Sequence, residues 1–477
     1  MTESTNTKEY HNSDTISGIK QNASNGVNCI SIGCKVNQAE MAALRGACGA
    51  ASERRRIAEV CVLNTCAVTA TAEAKSRKLI RRLIRQNPDS RLIVTGCLAQ
   101  AKPEEVKHLI RKGDAVVGNK EKGRIAEMIE DVIKQSGSIP VIQSDRQTSR
   151  PADQPRTRAF VKIQDGCNNF CSYCIVPYLR SQMWSKPPKE VDKEIRELVD
   201  PVRSKSPEET AVSKASRERT SNGVDKGYKE IVLTGINLGK YDDLTGLLKR
   251  LLDPIRDNGR LRRPISNGAW RLRLSSIELE DVSDELINLM AENPRLCPHL
   301  HIPLQSGSDR ILKLMKRHYD AADFIRRIDL LKSKIDNPSI TTDIIVGFPG
   351  ETEEDFRQTL EVCRKVGFSK IHIFPYSPRE GTTAFGIKNK VKPEIVKKRF
   401  NMLNNLATEL ALNYKQLFIN KEVEVLVEDN SEGFTDRYIK AKIKPAGTAN
   451  PNQIVKVKVT GIKPEYVTGI ATKTLRH

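Results

Sequence analysis

The sequence predicts an α/β protein in three parts: an N-terminal α/β domain with a parallel sheet, a central partial (β/α)6 barrel, and a small C-terminal antiparallel β-barrel. Three observations carry that prediction. Between residues 27 and 135, short apolar runs alternate with segments of helical period, the pattern of a sheet covered by helices. From residue 157 onward, apolar runs recur between helices as about six βα units. After residue 415, apolar and polar residues alternate as in half-buried antiparallel strands that close into a small barrel.

Residues 1–26 are rich in Ser, Thr and Asn with no apolar segment, and read as a disordered leader. In the N-terminal domain, residues 27–135, Lys75–Arg85 has the 3.6-residue period of a helix, Leu92–Thr95 reads as a strand, Pro103–Arg111 as a helix and Ala115–Gly118 as a strand. A polar segment, residues 136–156, reads as a linker. The central domain, residues 157–395, presents strands at Arg158–Gln164, Glu230–Asn237, Trp270–Ser276, His299–Gln305, Ser339–Gly347 and Lys370–Phe374. Within it, residues 204–226 are charged and Ser-rich and read as a surface insertion. The last domain, residues 415–477, has strands at Lys421–Glu428, Gly433–Tyr438 and Asn452–Gly461.

At 477 residues the chain has room for about three domains, and 38% hydrophobic residues can fill their cores. No apolar stretch approaches the roughly 18 residues of a membrane span, and no secretory signal opens the chain, so a cytoplasmic protein is expected. Eleven cysteines at this length are far too few for a disulfide scaffold, which points to metal or catalytic use in a reducing compartment. A net charge of +20 calls for a polyanionic partner such as RNA, while an aromatic content of 5% argues against an extensive stacking platform.

The cysteines fall into two sets. Cys167, Cys171 and Cys174 stand in a C-x3-C-x2-C loop just past the Arg158–Gln164 strand, where barrel enzymes keep their chemistry. Zinc usually takes four protein ligands, whereas a cubane iron–sulfur cluster can be held by three thiolates with its fourth iron open; a zinc loop is the alternative at this point. Cys34, Cys66 and Cys97 each lie past a short apolar run, and parallel pairing would bring all three to one carboxyl edge. The bland alternative is three small buried thiols. Cys29, Cys48, Cys61, Cys297 and Cys363 lack such a context and read as packing residues.

The Cys167–Cys174 loop, with Tyr173 just before its last cysteine, resembles the signature of the radical S-adenosylmethionine (SAM) enzymes. Cys34 in Ser31-Ile-Gly-Cys-Lys-Val-Asn37, Cys66 in Val62-Leu-Asn-Thr-Cys-Ala-Val-Thr69 and Cys97 in Leu92-Ile-Val-Thr-Gly-Cys-Leu-Ala-Gln100 together resemble the N-terminal domain of the methylthiotransferases. Ser275-Ser-Ile-Glu278, Pro303–Ser308, Asp343–Thr352 and Pro375–Thr382 look like further signatures of that family, and the resemblance covers about residues 27 to 477. It implies two four-iron, four-sulfur (4Fe-4S) clusters, one on Cys167, Cys171 and Cys174 and an auxiliary one on Cys34, Cys66 and Cys97. It further implies SAM contacts at Tyr173, Thr234, Gly235, Asn237, Ser275 and Gln305, with Gly235 permitting close approach of the ligand. The C-terminal strands resemble the TRAM module, whose basic face would meet RNA phosphates and on which Phe434 or Tyr438 would either stack a base or fill the core.

Gly33-Cys-Lys-Val-Asn-Gln38 resembles the branch whose substrate is N6-threonylcarbamoyladenosine beside the tRNA anticodon. The branches acting on isopentenyladenosine tRNA or on a ribosomal-protein side chain have other residues there, and a non-catalytic RNA-binding protein would not need six placed cysteines. Implied partners are the tRNA anticodon stem-loop and an electron donor such as a flavodoxin or ferredoxin; a monomer without membrane attachment is expected. The implied reaction cleaves one SAM to a radical, methylates sulfur with a second and delivers the methylthio group to C2 of the base. One departure stands out: where the family shows an Arg-Gly-Arg-x-Arg run, this chain has Arg180-Ser-Gln-Met-Trp184.

Overall fold

A computed structural model describes residues 27–47, 60–135, 157–200, 227–252, 270–429 and 431–474. The expected leader, linker and 204–226 insertion, together with Cys48, lie outside the described residues. The described chain divides into two compact units, residues 27–135 and residues 157–474, with 68–70 belonging to the second.

In the first unit, β1 (Val27–Ser31), β2 (Val60–Thr65), β3 (Arg91–Gly96) and β4 (Ala115–Val117) pair in that order, all parallel. Every residue of β2 is buried, as a parallel strand covered on both faces requires. The expected helices form as Ala70–Gln86 and Pro103–Leu109, the first burying Ser76, Ile80 and Leu83 along one stripe. Cys29 and Cys61 are buried in strands, as their apolar surroundings predict.

The second unit opens with β5 (Arg158–Lys162), followed by the short β6 (Gln164–Asp165) and β7 (Trp184–Ser185), which pair antiparallel as a hairpin. Strand β5 joins β8 (Glu230–Thr234) and β9 (Arg271–Leu274) in a parallel three-stranded sheet. A second one contains β10 (His299–His301), β11 (Ser339–Val346) and β12 (Lys370–Pro375). Isolated bridges Leu272–Leu296 and Ser276–His301 connect the two sheets into the expected partial barrel. Helices start where the sequence supplies caps: Thr352 and Asp355 form a capping box, and Ser283, Ser308 and Asp320 each accept a backbone N–H. Cys297 and Cys363 are buried in or beside this core.

The C-terminal barrel closes in the order β13 (Glu422–Asp429), β14 (Glu432–Thr435), β15 (Lys440–Lys444), β17 (Val467–Thr474), β16 (Ile454–Ile462). It departs from the wholly antiparallel barrel expected, because β15 and β17 pair in parallel. After β15 the chain crosses to β16 beside β13, and β17 returns antiparallel to β16 to fill the remaining gap. The helix Pro393–Gln416 runs through the expected domain boundary, with Leu403, Leu406 and Leu410 in the core of the strands and Tyr414 in the core of the barrel. The two expected domains 157–395 and 415–477 therefore share one compact unit.

A buried ion cluster fastens them. Glu230, the first residue of β8, has no exposed side-chain surface and accepts from Arg271 Nε at 2.7 Å and Arg273 Nε at 2.8 Å. The same two arginines donate to the carbonyls of Phe434 (2.9 Å), Thr435 (3.1 Å) and Asp436 (2.8 Å). Burial alone would raise the Glu230 pKa, but Arg273 and Arg271 overcome it and hold the carboxyl well below the usual carboxylate range. Phe434 and Tyr438 stack on each other at 5.0 Å; Arg158 lies over both rings and Arg273 over Tyr438. These rings seat the barrel on the amino-terminal ends of the strands.

Replacing Glu230 by Gln leaves two buried guanidinium groups without their counter-charge, and we expect a loss of about 3–5 kcal/mol at pH 7 in denaturant unfolding. Because the folded pKa is depressed, the deficit should be constant above the unfolded carboxyl pKa of about 4.3 and shrink as pH falls below it. An unchanged unfolding midpoint at pH 7 would show that the cluster does not hold the barrel.

Candidate functional site

Parallel pairing delivers the first thiol set to one sheet edge. Cys66 directly follows β2 and Cys97 directly follows β3, one residue beyond the paired Thr65 and Gly96; Cys34 follows β1 and precedes the helix Lys35–Ala47. Cys66 and Cys97 are buried and Cys34 is exposed. Gly33 has φ 101°, and a Cβ there would fall 2.8 Å from Cys66 Cβ and 2.9 Å from its Sγ, so only glycine lets the Cys34 turn approach Cys66 this closely. Ser76 Oγ accepts from Cys66 N at 3.2 Å and donates to its carbonyl at 3.1 Å. Buried Asn37 donates to Ile32 O at 2.7 Å and Thr65 O at 3.2 Å, binding the two turns together, and Asn64 donates to Glu40 at 2.9 Å. Asn37 and Asn64 lie within the sequence motifs around Cys34 and Cys66, whereas Ser76 carries no sequence signal beyond being a polar residue on the buried face of its helix. Lys35, half-buried, opens the helix beside Cys34.

The second set lies on the loop after β6, at the carboxyl edge of the second unit. Gly166, at φ 83°, takes the chain within 2.3 Å of Gln182 O measured from an added Cβ, and Cys167 N donates to Arg180 O at 3.2 Å. Arg180 is 5% exposed and donates to both carboxylate oxygens of Asp165, at 2.9 and 3.0 Å. The divergent Arg180–Trp184 segment is thus the return arm of the loop's own hairpin. Buried Gln164, also unrecognised from sequence, donates to Asp165 O and Gly166 O at 2.8 Å each and accepts from Asn237 N at 2.9 Å. Ser172 donates to Leu314 O at 2.7 Å, and its own backbone N–H donates to Met315 O at 3.0 Å. Burial pushes the Cys174 thiol up to about 12 and also raises Cys167, against the backbone N–H of Asn169.

The expected SAM contacts gather at the same edge with different local roles. Asn237 and Ser275, past β8 and β9, are each 5% exposed, and neither the Asn237 amide nor the Ser275 hydroxyl completes a hydrogen bond within the protein. Buried polar atoms left open in this way suit a polar ligand. Gln305, past β10, holds the left-handed φ of 67° between its bonds to Asp343 O and Ile345 N, a strain found at ligand-binding positions. Thr234 is buried at the end of β8. At Gly235 a Cβ would strike Gln164 Oε1 at 2.8 Å, so the glycine lets the turn past β8 pack against Gln164. Tyr173 packs into an apolar group with Ile311, Met315 and Phe348 and anchors the loop.

Three soft thiols on one loop suit an iron–sulfur cluster, which three cysteines can hold with one iron left open. Among the described residues, no three His, Cys, Asp or Glu side chains stand at the spacing of a single-ion site. On the C-terminal barrel, β15 points Ala441 and Ile443 inward, leaving Lys440, Lys442 and Lys444 in an outward row, the first two paired with Glu432. No described helix is long and apolar enough to cross a membrane.

Residues 26–118 match a family described as Uncharacterized protein family UPF0004, and residues 212–363 match the Radical SAM superfamily. The threonylcarbamoyladenosine tRNA methylthiotransferase MtaB of Bacillus subtilis (strain 168) is 36% identical over 450 residues, 90% of this chain and 92% of that protein. MtaB of Thermotoga maritima is 40% identical over 407 residues, 83% and 85% of the two chains. A tRNA-2-methylthio-N(6)-dimethylallyladenosine synthase of Clostridium novyi (strain NT) is 34% identical, covering 92% of this chain and 94% of that one. With Cys34, Cys66 and Cys97 past parallel strands, Cys167, Cys171 and Cys174 on one loop, and relatives matched along most of their length, the chain belongs to the MtaB methylthiotransferase family of radical SAM proteins.

Proposed function

We propose that this enzyme places a methylthio group on C2 of N6-threonylcarbamoyladenosine beside the anticodon of tRNA. The observation that carries the proposal is the similarity to two MtaB proteins, at 36% and 40% identity over 90% and 83% of this chain, which carries both thiol sets. In this reading Cys167, Cys171 and Cys174 hold one 4Fe-4S cluster and Cys34, Cys66 and Cys97 the auxiliary one. When bound, the first supplies the electron that cleaves SAM to a carbon radical, and the second supplies the sulfur that is methylated and transferred.

The chain's own residues bind and orient. Asn237 and Ser275 offer their open polar atoms to SAM, with Thr234, Gly235 and Gln305 shaping the strand ends around it and Tyr173 holding the thiol loop. Gln164 couples the loop to the Asn237 turn, so the thiols and the SAM contacts keep one geometry. The lysine row on β15 meets phosphates of the anticodon stem-loop. Lys35 pairs with the carboxylate that threonylcarbamoyladenosine carries and an isopentenyl group lacks. The reaction fits a cytoplasmic monomer fed by a flavodoxin or ferredoxin.

Anaerobic reconstitution should yield two clusters. Changing Cys167, Cys171 and Cys174 together to Ala should leave about half the iron and abolish SAM cleavage, while Cys66→Ala or Cys97→Ala should spare cleavage and stop methylthio transfer. Loss of all iron in the first variant, or zinc in place of iron, contradicts the assignment.

Substrate choice is tested by offering tRNAs bearing either modification and identifying the products by mass spectrometry. A charge-assisted bond of about 1.5–3 kcal/mol predicts that Lys35→Met lowers activity on the threonylcarbamoyl substrate by about ten- to hundredfold. Equal turnover of isopentenyladenosine tRNA by the parent enzyme overturns the substrate assignment.

A further inference from the structure

Beneath the loop that carries Cys167, Cys171 and Cys174, a buried cation touches one of the three sulfurs. Arg317 keeps only 4% of its side chain exposed, and its Nη1 donates to Cys171 Sγ at 3.4 Å. The rest of the guanidinium is fixed from several sides. It forms an ion pair with Glu278, donates from Nε and Nη2 to Tyr319 Oη at 3.1 and 2.9 Å, and reaches Pro303 O at 3.3 Å. Tyr319 is itself tied to Pro303 O at 2.7 Å and lies under the guanidinium, whose carbon stands 5.0 Å from the ring centroid. Lys316, just before Arg317, takes the left-handed φ of 58°, a strained conformation that a non-glycine residue keeps only where its surroundings impose it.

A helix-following arginine needs none of this to stay folded. A guanidinium is always charged, and in water it would point outward; here it is drawn under a sulfur ligand and only partly neutralised, by a single carboxylate that is 19% exposed. Hydrogen bonds and positive charge at cluster sulfurs favour the state holding one more electron, because that state carries more negative charge on sulfur.

We propose that Arg317 is a positioning residue that raises the reduction potential of the cluster held by Cys171, with Glu278 setting how much of its charge is felt. The proposal rests on the cluster assignment made above. It makes the pair an opposed couple: removing the cation must lower the potential and removing the carboxylate charge must raise it.

The test uses the full chain carrying Cys34→Ala, Cys66→Ala and Cys97→Ala, so that one cluster remains, reconstituted anaerobically and titrated redox-potentiometrically with detection by electron paramagnetic resonance. Arg317→Met should cut the reduced-to-oxidised ratio at a fixed potential about tenfold, about 59 mV for a one-electron couple. Arg317→Lys should fall between it and the parent, and Glu278→Gln should move the ratio the other way, all with iron content retained. Should Arg317→Met fail to hold iron, Arg317→Lys and Glu278→Gln decide between them. Both at the parental potential, or both shifted in the same direction, overturn the proposal. Absence of any four-iron signal from the parent chain instead overturns the cluster assignment on which it stands.

Discussion

The carboxylate of Glu230 allows three neighbouring parallel strands to begin with charge inside the protein. Arg158, Arg271 and Glu230 open β5, β9 and β8, and Arg273 follows two residues later, fully buried. Two guanidinium groups there would be prohibitive without a counter-charge, and one carboxylate between them leaves each with N–H groups still to satisfy. Those remaining donors find backbone carbonyls of the β14 turn. The ion cluster thus both neutralises the amino edge of the strands and recruits the C-terminal barrel to cover it. Arg437, donating to Asn337 O at 3.1 Å and Asp336 O at 3.0 Å, repeats the arrangement just ahead of β11.

At the carboxyl edge, the Asn237 amide and the Ser275 hydroxyl stay open. Asn237, Ser275 and Gln305 all follow strands of the same polarity, and the thiol loop follows β6. Gln164 is the joint: one amide group fixes the loop's carbonyls with its donors and the Asn237 turn with its acceptor. A carboxylate at that position would lose the donors and a lysine the acceptor.

Much of this was legible in sequence because cysteine at the end of an apolar run carries two signals at once, a strand boundary and a ligand. The parallel strands of both units were readable as short runs rich in apolar residues between helices, even where β5 and β9 carry Arg158, Arg271 and Arg273. What escaped lacks such contrast. Strand β15, Lys440-Ala-Lys-Ile-Lys444, alternates correctly but has only Ala441 and Ile443 on its inner face, and β17 is interrupted by Gly469. Gln164 and Arg317 act through distant partners, Asn237 and Cys171, that no local period can announce. Phe434 and Tyr438 were balanced between RNA and core, and the deciding groups, Arg158 and Arg273, come from strands far earlier in the chain. The Arg180–Trp184 departure takes its place in the fold from the pairing of Trp184 with Asp165 across the β6–β7 hairpin, a contact between residues far apart in sequence.

The seating of the C-terminal barrel has a metric consequence. It covers the ends at which the strands begin, whereas the thiol loop lies where they finish, and the intervening β11 is eight residues long. At about 3.3 Å per residue this separates the two by roughly 25 Å. A nucleic acid touching the barrel at this seat while offering a base at the thiol edge would have to bridge that span, so the length of the strands sets the least distance between the two contacts.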